Sequence, residues 1–529
     1  MRFVGYAPMA RKSSICFITP PSIFLLDERV YPALGILKVA AVAEQLGFTV
    51  EHLDLNGVEN YTEAVRKHAS CTNADVFAIT ATTPQMPAVE KIRTTLRAVR
   101  PDSRLILGGP HPTVTTAAER KEKKRQLQNG RASHALGQLM DRFDVVVAGD
   151  GELAIGYALE QLIAGTAPGL IDADDPKSEW FLSSKALEST PWPARHLIEM
   201  PSYHYTIDGK SVTSIVSQLG CPFNCQFCCG RASGMLRRVR LRPTSAVIAE
   251  MRHAIETYSV QGFMFFDDEL NVNPQILELM RAIRDLSQEM GVELACRGFV
   301  KAELLTSEQA VAMREAGFRV VLSGFESGNE RILRNIEKRA TIADNTRAIE
   351  TLHSAGIEVK ALMSLGHAGE SEDTIRDTVD WLISVKPEDV DLTLITAYPG
   401  SPYYDDAELV DYPTDLGLPV WKYSIHGDAL YSYELDYSQV SDYYKGGVGA
   451  YQAYVFTDYL TPKDLVRMRD WAETKVRKAL GIRFYPSAAA LRYESSMGQL
   501  PSHIFRKSGG EIPGALSSKF LVAKAGEKR

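Results

Sequence analysis

Short apolar runs alternate with amphipathic stretches in two separate blocks of this chain, and that alternation restricts the fold more than any other feature. From Ile15 to about Ala164 the order is "ICFITPP", "ALGILKVAAVAEQLG", "TVEHLDL", "DVFAITATT", "PAVEKIRTTLRAVR", "RLILGGPHPT", "DVVVAGDGE" and "AIGYALEQLI". Strand, helix, strand in repetition predicts a doubly wound, Rossmann-like α/β domain: a parallel sheet with helices on both faces. Ligands of such sheets sit beyond the carboxyl ends of the strands. "GGPHPT" and "AGDGE" fall there, which makes Gly108, Gly109, His111, Thr113, Gly149, Asp150, Gly151 and Glu152 candidate binding residues; tight strand-to-helix turns are the plainer reading of the same glycines. The charged run "ERKEKKRQ" reads as a solvated insertion.

A polar, proline-bearing stretch from "DADDPKSEW" to "STPWPARHL" reads as a linker. The second block runs from "SIVSQLG" to "DVDLTLITAYPG" and holds about six strand-helix units, which predicts a partial (β/α)6 barrel with its site at the carboxyl ends of the strands. From about Ser401 the chain reads as mostly helical and tyrosine-rich, and the last twenty-odd residues as a loose tail. The expected segments are 1–170, a linker over 171–209, a barrel over 210–405 and a helical region over 406–529.

The second block opens on "GCPFNCQFCCG", which puts four of the seven cysteines into the nine residues Cys221–Cys229. Cys16, Cys71 and Cys296 are scattered elsewhere, so the cluster reads as a metal site and not as a disulfide framework. A structural zinc site asks for four ligands, usually in two pairs, and no second pair follows. Cys221, Cys225 and Cys228, with Phe227 before the last, offer three thiolates, as for a four-iron cluster with one iron left open; Cys229 reads as a bystander.

This loop resembles that of the radical S-adenosylmethionine (SAM) enzymes. The later strands carry matching landmarks: Asp267 and Asp268 in "FFDDEL", Gly324, Glu326 and Gly328 in "VLSGFESGNE", Gly366, Gly369 and Glu370 in "SLGHAGES", and Pro399 and Gly400 in "AYPGSP". The resemblance covers roughly Ser214 to Pro402. It implies a 4Fe-4S cluster on Cys221, Cys225 and Cys228, and SAM contacts from Phe227, Asp267, Asp268, Gly324 and Glu326. It also implies reductive cleavage of SAM to methionine and a 5'-deoxyadenosyl radical, fed by an electron donor such as flavodoxin or ferredoxin.

With a barrel of that kind behind it, the first block resembles the cobalamin-binding domain of the cobalamin-dependent subfamily, although Asp150 stands where relatives often carry glutamate. None of the eleven histidines has an aspartate two places before it, so the cobalt is expected to lack a histidine ligand. The resemblance implies a methyltransferase acting on an unactivated carbon of a small molecule or lipid. Cobalamin-linked cyclisation, ring contraction or oxygen insertion is the alternative.

Composition sets the surroundings. A net charge of -7 argues against nucleic acid as the main partner. No apolar run reaches the roughly 20 residues that span a bilayer, and the early "ICFITPPSIFLL" is broken by prolines, so a cytoplasmic enzyme is expected. The tyrosines from Tyr431 to Tyr459 are expected to pack the last region against the barrel, with a substrate-embracing surface as the other reading.

Overall fold

The computed structural model describes residues 13–127, 130–414, 416–444, 451–484 and 505–507. The first block forms β1 (Ser14–Thr19), α1 (Leu34–Gln45), β2 (Thr49–Asp54), α2 (Tyr61–Cys71), β3 (Val76–Thr80), α3 (Met86–Val99), β4 (Arg104–Gly108), α4 (Pro110–Lys124), α5 (Arg131–Arg142), β5 (Val145–Ala148), α6 (Gly151–Ile163) and β6 (Gly169–Asp172). These strands pair in parallel in the order β2-β1-β3-β4-β5-β6. The inner strands are buried on both sides: Ile15, Phe17 and Val50 pack under α1 and α6, while Ile18, Leu53 and Phe77 pack under α2 and α3. Because β2 and β3 flank β1, the connections part at the carboxyl end of β1 and open a crevice there.

The second block begins with a short strand β7 (Thr206–Ile207) that folds back on β8 (Lys210–Ile215). A ribbon of β9 (Gln218–Leu219) and β10 (Arg240–Leu241) brackets the cysteine loop. The barrel continues through β11 (Gly262–Phe265), β12 (Ala295–Phe299), β13 (Phe318–Glu326), β14 (Glu358–Leu365) and β15 (Asp389–Leu394). Its parallel order is β15-β14-β13-β12-β11-β8, an open six-stranded half-barrel with helices outside. Val212, Met264, Ala295 and Leu322 face the lumen, where Tyr31 of the first domain and Tyr205 of the connecting segment pack on them.

The last region corrects the expectation of a mostly helical fold. Its described part is a four-stranded antiparallel sheet, β16 (Glu408–Val410), β17 (Val420–Ile425), β18 (Asp428–Tyr433) and β19 (Val455–Thr457), followed by one long helix, Pro462–Leu480. The signal was present: "VWKYSI" and "DALYSY" flank His426-Gly427, whose φ values of 52° and 86° suit a two-residue hairpin turn. Of the expected tail, Arg506 and Lys507 belong to β20 (Phe505–Lys507), which adds antiparallel to the β2 edge, and the rest lies outside the described residues.

Ion pairs fasten the domains. Lys121 of α4 reaches Asp406 of the last region at 2.9 Å, while Arg120 pairs with Asp172 and Asp174 at the end of the first sheet. Asp174 is fully buried and accepts hydrogen bonds from the Ser233 hydroxyl and from the Gly234 and Met235 amides, so the end of the first sheet grips the segment after the cysteines.

Candidate active site at the domain seam

Backbone hydrogen bonds hold the cysteine loop in shape. Gly220 has φ 87°, and a Cβ there would lie 2.2 Å from the Arg238 carbonyl oxygen. The Cys221 amide donates to the Leu236 carbonyl (2.8 Å) and the Cys228 amide to Cys225 (3.2 Å). Arg237 donates to the carbonyls of Pro222 and Phe223, and Arg231 to that of Asn224. All four cysteines are unbridged. Burial pushes the Cys221 thiol up to about 11 and raises that of Cys225, against the pull of Lys338 and Lys301. Thiols of this kind deprotonate on binding a metal, and three of them on one pinned loop fit a cluster with an open iron. The Cys229 carbonyl packs against Gly400, where a Cβ would come within 2.4 Å.

Asp267 and Asp268 serve this loop's backbone. Asp267 is buried and accepts from the amides of Ser217 (2.6 Å) and Gln218 (2.8 Å) and from the Ser217 hydroxyl. Asp268 accepts from the Gly220 amide at 2.9 Å. Both carboxylates therefore hold the entry to the loop, and burial carries Asp267 to about 7.

Gly324 and Glu326 meet a network that sequence reasoning missed. Glu326, at φ 66°, pairs with Lys338 (3.1 Å) and accepts from the Ser364 hydroxyl (2.7 Å). A Cβ on Gly324 would strike the Glu326 carboxylate at 2.4 Å. His367 joins Ser364 (2.8 Å) to the Tyr403 hydroxyl (3.0 Å), and its ring lies 5.4 Å from Phe227. Burial keeps His367 neutral by lowering its pKa to about 4. Lys301 is buried nearby, and desolvation raises the half-buried Glu269 to about 7. The third acid of "FFDDEL" hinted at Glu269; nothing in "NIEKRAT" marks Lys338.

A second space lies at the strand ends of the first domain, a cleft with about 1330 Å³ of empty volume, its open mouth included. Gly108, Gly109, Thr113, Gly149, Asp150, Gly151 and Glu152 all line it; His111 does not. That ring turns the other way and meets the Thr83 hydroxyl at 3.1 Å. Gly109 and Gly149 have φ 95° and 98°, and a Cβ on either would lie 2.5 Å from Thr80 or Ala173, so side chains are barred from both turns. The Gly149 amide donates to the Thr113 hydroxyl, which donates to the Gly109 carbonyl (2.8 Å each). Asp150 is ion-paired with Arg240, and burial, with Glu152 beside it, raises its carboxyl to about 6. The barrel supplies the opposite wall through Val216, Leu219, Met235, Leu236, Arg242 and Glu250. Among the described residues no histidine lines the cleft. A largely apolar cradle, with two turns that bar side chains and no histidine in its lining, fits a corrin ring.

The tyrosines divide. Tyr437 and Tyr443 are buried and cluster with Tyr398 at 5.7–6.0 Å between centroids, Tyr431 stacks on Phe456 at 4.9 Å, and Tyr459 is exposed.

Fold and site together define a B12-binding domain joined to a radical SAM half-barrel. The family model of the B12 binding domain matches residues 27–140, and that of the Radical SAM superfamily matches residues 215–382. The chain belongs to the cobalamin-dependent radical SAM enzymes, and its cofactors are a 4Fe-4S cluster, SAM and cobalamin. An uncharacterized methyltransferase, PH0819, of Pyrococcus horikoshii is 23% identical over 71% of this chain and 78% of its own length. The anaerobic magnesium-protoporphyrin IX monomethyl ester cyclase of Rubrivivax gelatinosus is 23% identical over 72% of this chain and 68% of its own. Among solved structures, the radical SAM methyltransferase TsrM of Kitasatospora setae, with cobalamin and cluster bound, superposes with a TM-score of 0.58 at 16% identity, covering 74% of this chain and 77% of that one. Among the described residues no helix is long and apolar enough to cross a membrane.

Proposed function

We propose that this enzyme methylates an unactivated carbon of a small molecule. The observation that carries the reading is the shared wall: Leu219 and Leu236, at either end of the cysteine loop, also line the cobalamin cleft, so both cofactors face one space. Relatives named as methyltransferases, PH0819 and the bacteriochlorophyllide d C-12(1)-methyltransferase of Chlorobaculum tepidum, support it.

When bound, the cluster and SAM supply a radical able to abstract hydrogen from an inert C–H, and cobalamin carries the methyl group. The chain's own residues do the rest. Cys221, Cys225 and Cys228 hold the cluster, while Asp267 and Asp268 position their loop. Lys338 and Glu326 form a paired, buried dipole beside Cys225 that orients SAM, with Gly324 leaving room for that carboxylate. Gly109, Thr113 and Gly149 to Glu152 cradle cobalamin, and Arg240 locks Asp150 so that the two walls keep a fixed separation. Electrons come from a flavodoxin or ferredoxin in the cytoplasm. Cyclisation without methyl transfer is the second reading, favoured by relatives named as magnesium-protoporphyrin cyclases.

The coproducts decide between them. Turnover by methyl transfer consumes one SAM to deoxyadenosine and another to S-adenosylhomocysteine, in comparable amounts per methylated product. Deoxyadenosine alone, with no label passing from methyl-labelled SAM to product, overturns the methyltransferase reading.

A further inference from the structure

A separate pocket lies on the far side of the β4–α4 corner, where His111 turns away from the cobalamin cleft. It has an empty volume of about 930 Å³ between α5 and segments 418–419 and 434–438, and its walls include His111, Arg131, Gln138, Tyr404, Tyr437 and Ser438. Arg131 is the anomaly in it. Among the described residues, Arg29, Arg195, Arg240, Lys301, Lys338, Arg469 and Arg477 are buried, and each has a carboxylate partner. Arg131 is buried too, at 8% exposure, and has none among the described residues.

Its guanidinium is held between two aromatic faces, 3.6 Å from the Tyr404 centroid and 4.1 Å from that of Trp421. It spends one N–H on the Tyr404 carbonyl, and its other donors meet no acceptor among the described residues. The pocket's two acids are engaged elsewhere: Glu434 accepts from the Trp421 indole (2.8 Å), and Asp436 accepts from the Ser438 amide and hydroxyl. Burial lowers the Arg131 pKa, so its neighbours return less than desolvation takes. A buried cation without a carboxylate partner is costly to keep, and a fork of N–H donors fixed between rings matches a planar or tetrahedral oxyanion.

We propose that this pocket binds a small organic ligand through an oxyanion, a carboxylate or a phosphate, which Arg131 receives in a fork, with the Gln138 side-chain amide as a flanking donor. The site is distinct from the cobalamin cleft and does not depend on which reaction the enzyme performs.

The test uses the full chain loaded with cobalamin and two probes, inorganic phosphate followed by 31P line broadening and benzoate followed by saturation-transfer NMR. At least one probe is expected to bind saturably, with affinity falling about tenfold or more in Arg131→Met, while cobalamin absorbance is unchanged. Binding of benzoate alone identifies a carboxylate ligand, and binding of phosphate alone a phosphate ester. Should Arg131→Met fail to fold, Arg131→Lys keeps a charge that cannot span both the Tyr404 carbonyl and the anion, and is expected to weaken binding several-fold. No saturable binding by the wild type, or undiminished binding by an Arg131 variant that retains cobalamin, overturns the proposal.

Discussion

The cleft proposed for cobalamin and the cysteine loop adjoin but are built by opposite means. The cleft is shaped by backbone: glycines at positive φ, strand ends at the fork of a parallel sheet, and few polar groups facing inward. Around the loop the work is done by side chains from distant segments, with Glu326, Lys338, Ser364, His367 and Tyr403 joined in one buried chain of contacts. A backbone-built site loses affinity gradually as its shape is altered. A buried charge network fails abruptly when one partner goes, because the survivor is left unpaired in a dry environment.

The largest effect is expected in the loop itself. Cys221→Ala, Cys225→Ala or Cys228→Ala each removes a cluster thiolate, and iron content, the brown chromophore and SAM cleavage should all be lost, whereas Cys229→Ala retains most of its iron. Loss of the cluster in Cys229→Ala, with retention in one of the other three, would reassign the ligands. Next comes the seam between the regions. Arg240→Met leaves Asp150 buried without its cation, and urea unfolding should show a loss of about 3–5 kcal/mol. A change under about 1 kcal/mol would mean that the pair contributes little beyond its desolvation cost.

The cleft should respond more gently. Gly149→Ala puts a Cβ within 2.5 Å of the Ala173 carbonyl carbon at a φ that alanine disfavours, and Gly151→Val pushes on Val39. Both should weaken hydroxocobalamin binding, by about tenfold or more, while leaving cluster content intact. Equal loss of cobalamin and iron would show that the two sites are one cooperative unit. The Co(II) form should show no nitrogen superhyperfine splitting in electron paramagnetic resonance, and a clear imidazole signal would contradict a cleft without histidine.

The same contrast explains what the sequence revealed. Strand ends and glycines are local, so "GGPHPT" and "AGDGE" could be placed at the strand ends before any coordinates; among their candidate residues His111 alone does not line the cleft and meets the Thr83 hydroxyl instead. Cysteine spacing is local too. Lys338, Lys301, His367 and Arg131 carry no local signature; they become significant only when barrel strands and domains are folded together. Asp267 and Asp268 were expected to contact SAM; in the structure their carboxylates accept from the Ser217, Gln218 and Gly220 amides, a detail fixed by a turn that composition does not encode. The hairpin at His426-Gly427 was legible but outweighed by the helical reading of the region around it.

The smallest expected effect separates the two regions by their titration. Burial raises Asp267, Glu269 and Glu370 to about 7, all in the barrel, while on the cleft side it raises Asp150 to about 6. An acid whose folded pKa lies above its unfolded value binds its proton more tightly in the folded state, so stability falls as pH rises toward the folded pKa, by about 1 kcal/mol per pH unit for each such group just below it. His111 and His367, lowered to about 4, act oppositely but only below about pH 6.5, where an unfolded histidine takes up its proton. Between pH 6.5 and 8 the barrel acids therefore set the slope. In cofactor-free protein, urea midpoints should fall across that range, and Asp267→Asn, which cannot ionise, should flatten the decline even though it lowers stability overall. If Asp267→Asn leaves the slope untouched and Asp150→Asn flattens it, the strained charge lies in the cleft, and the division between a backbone-built cradle and a charge-built loop is wrong.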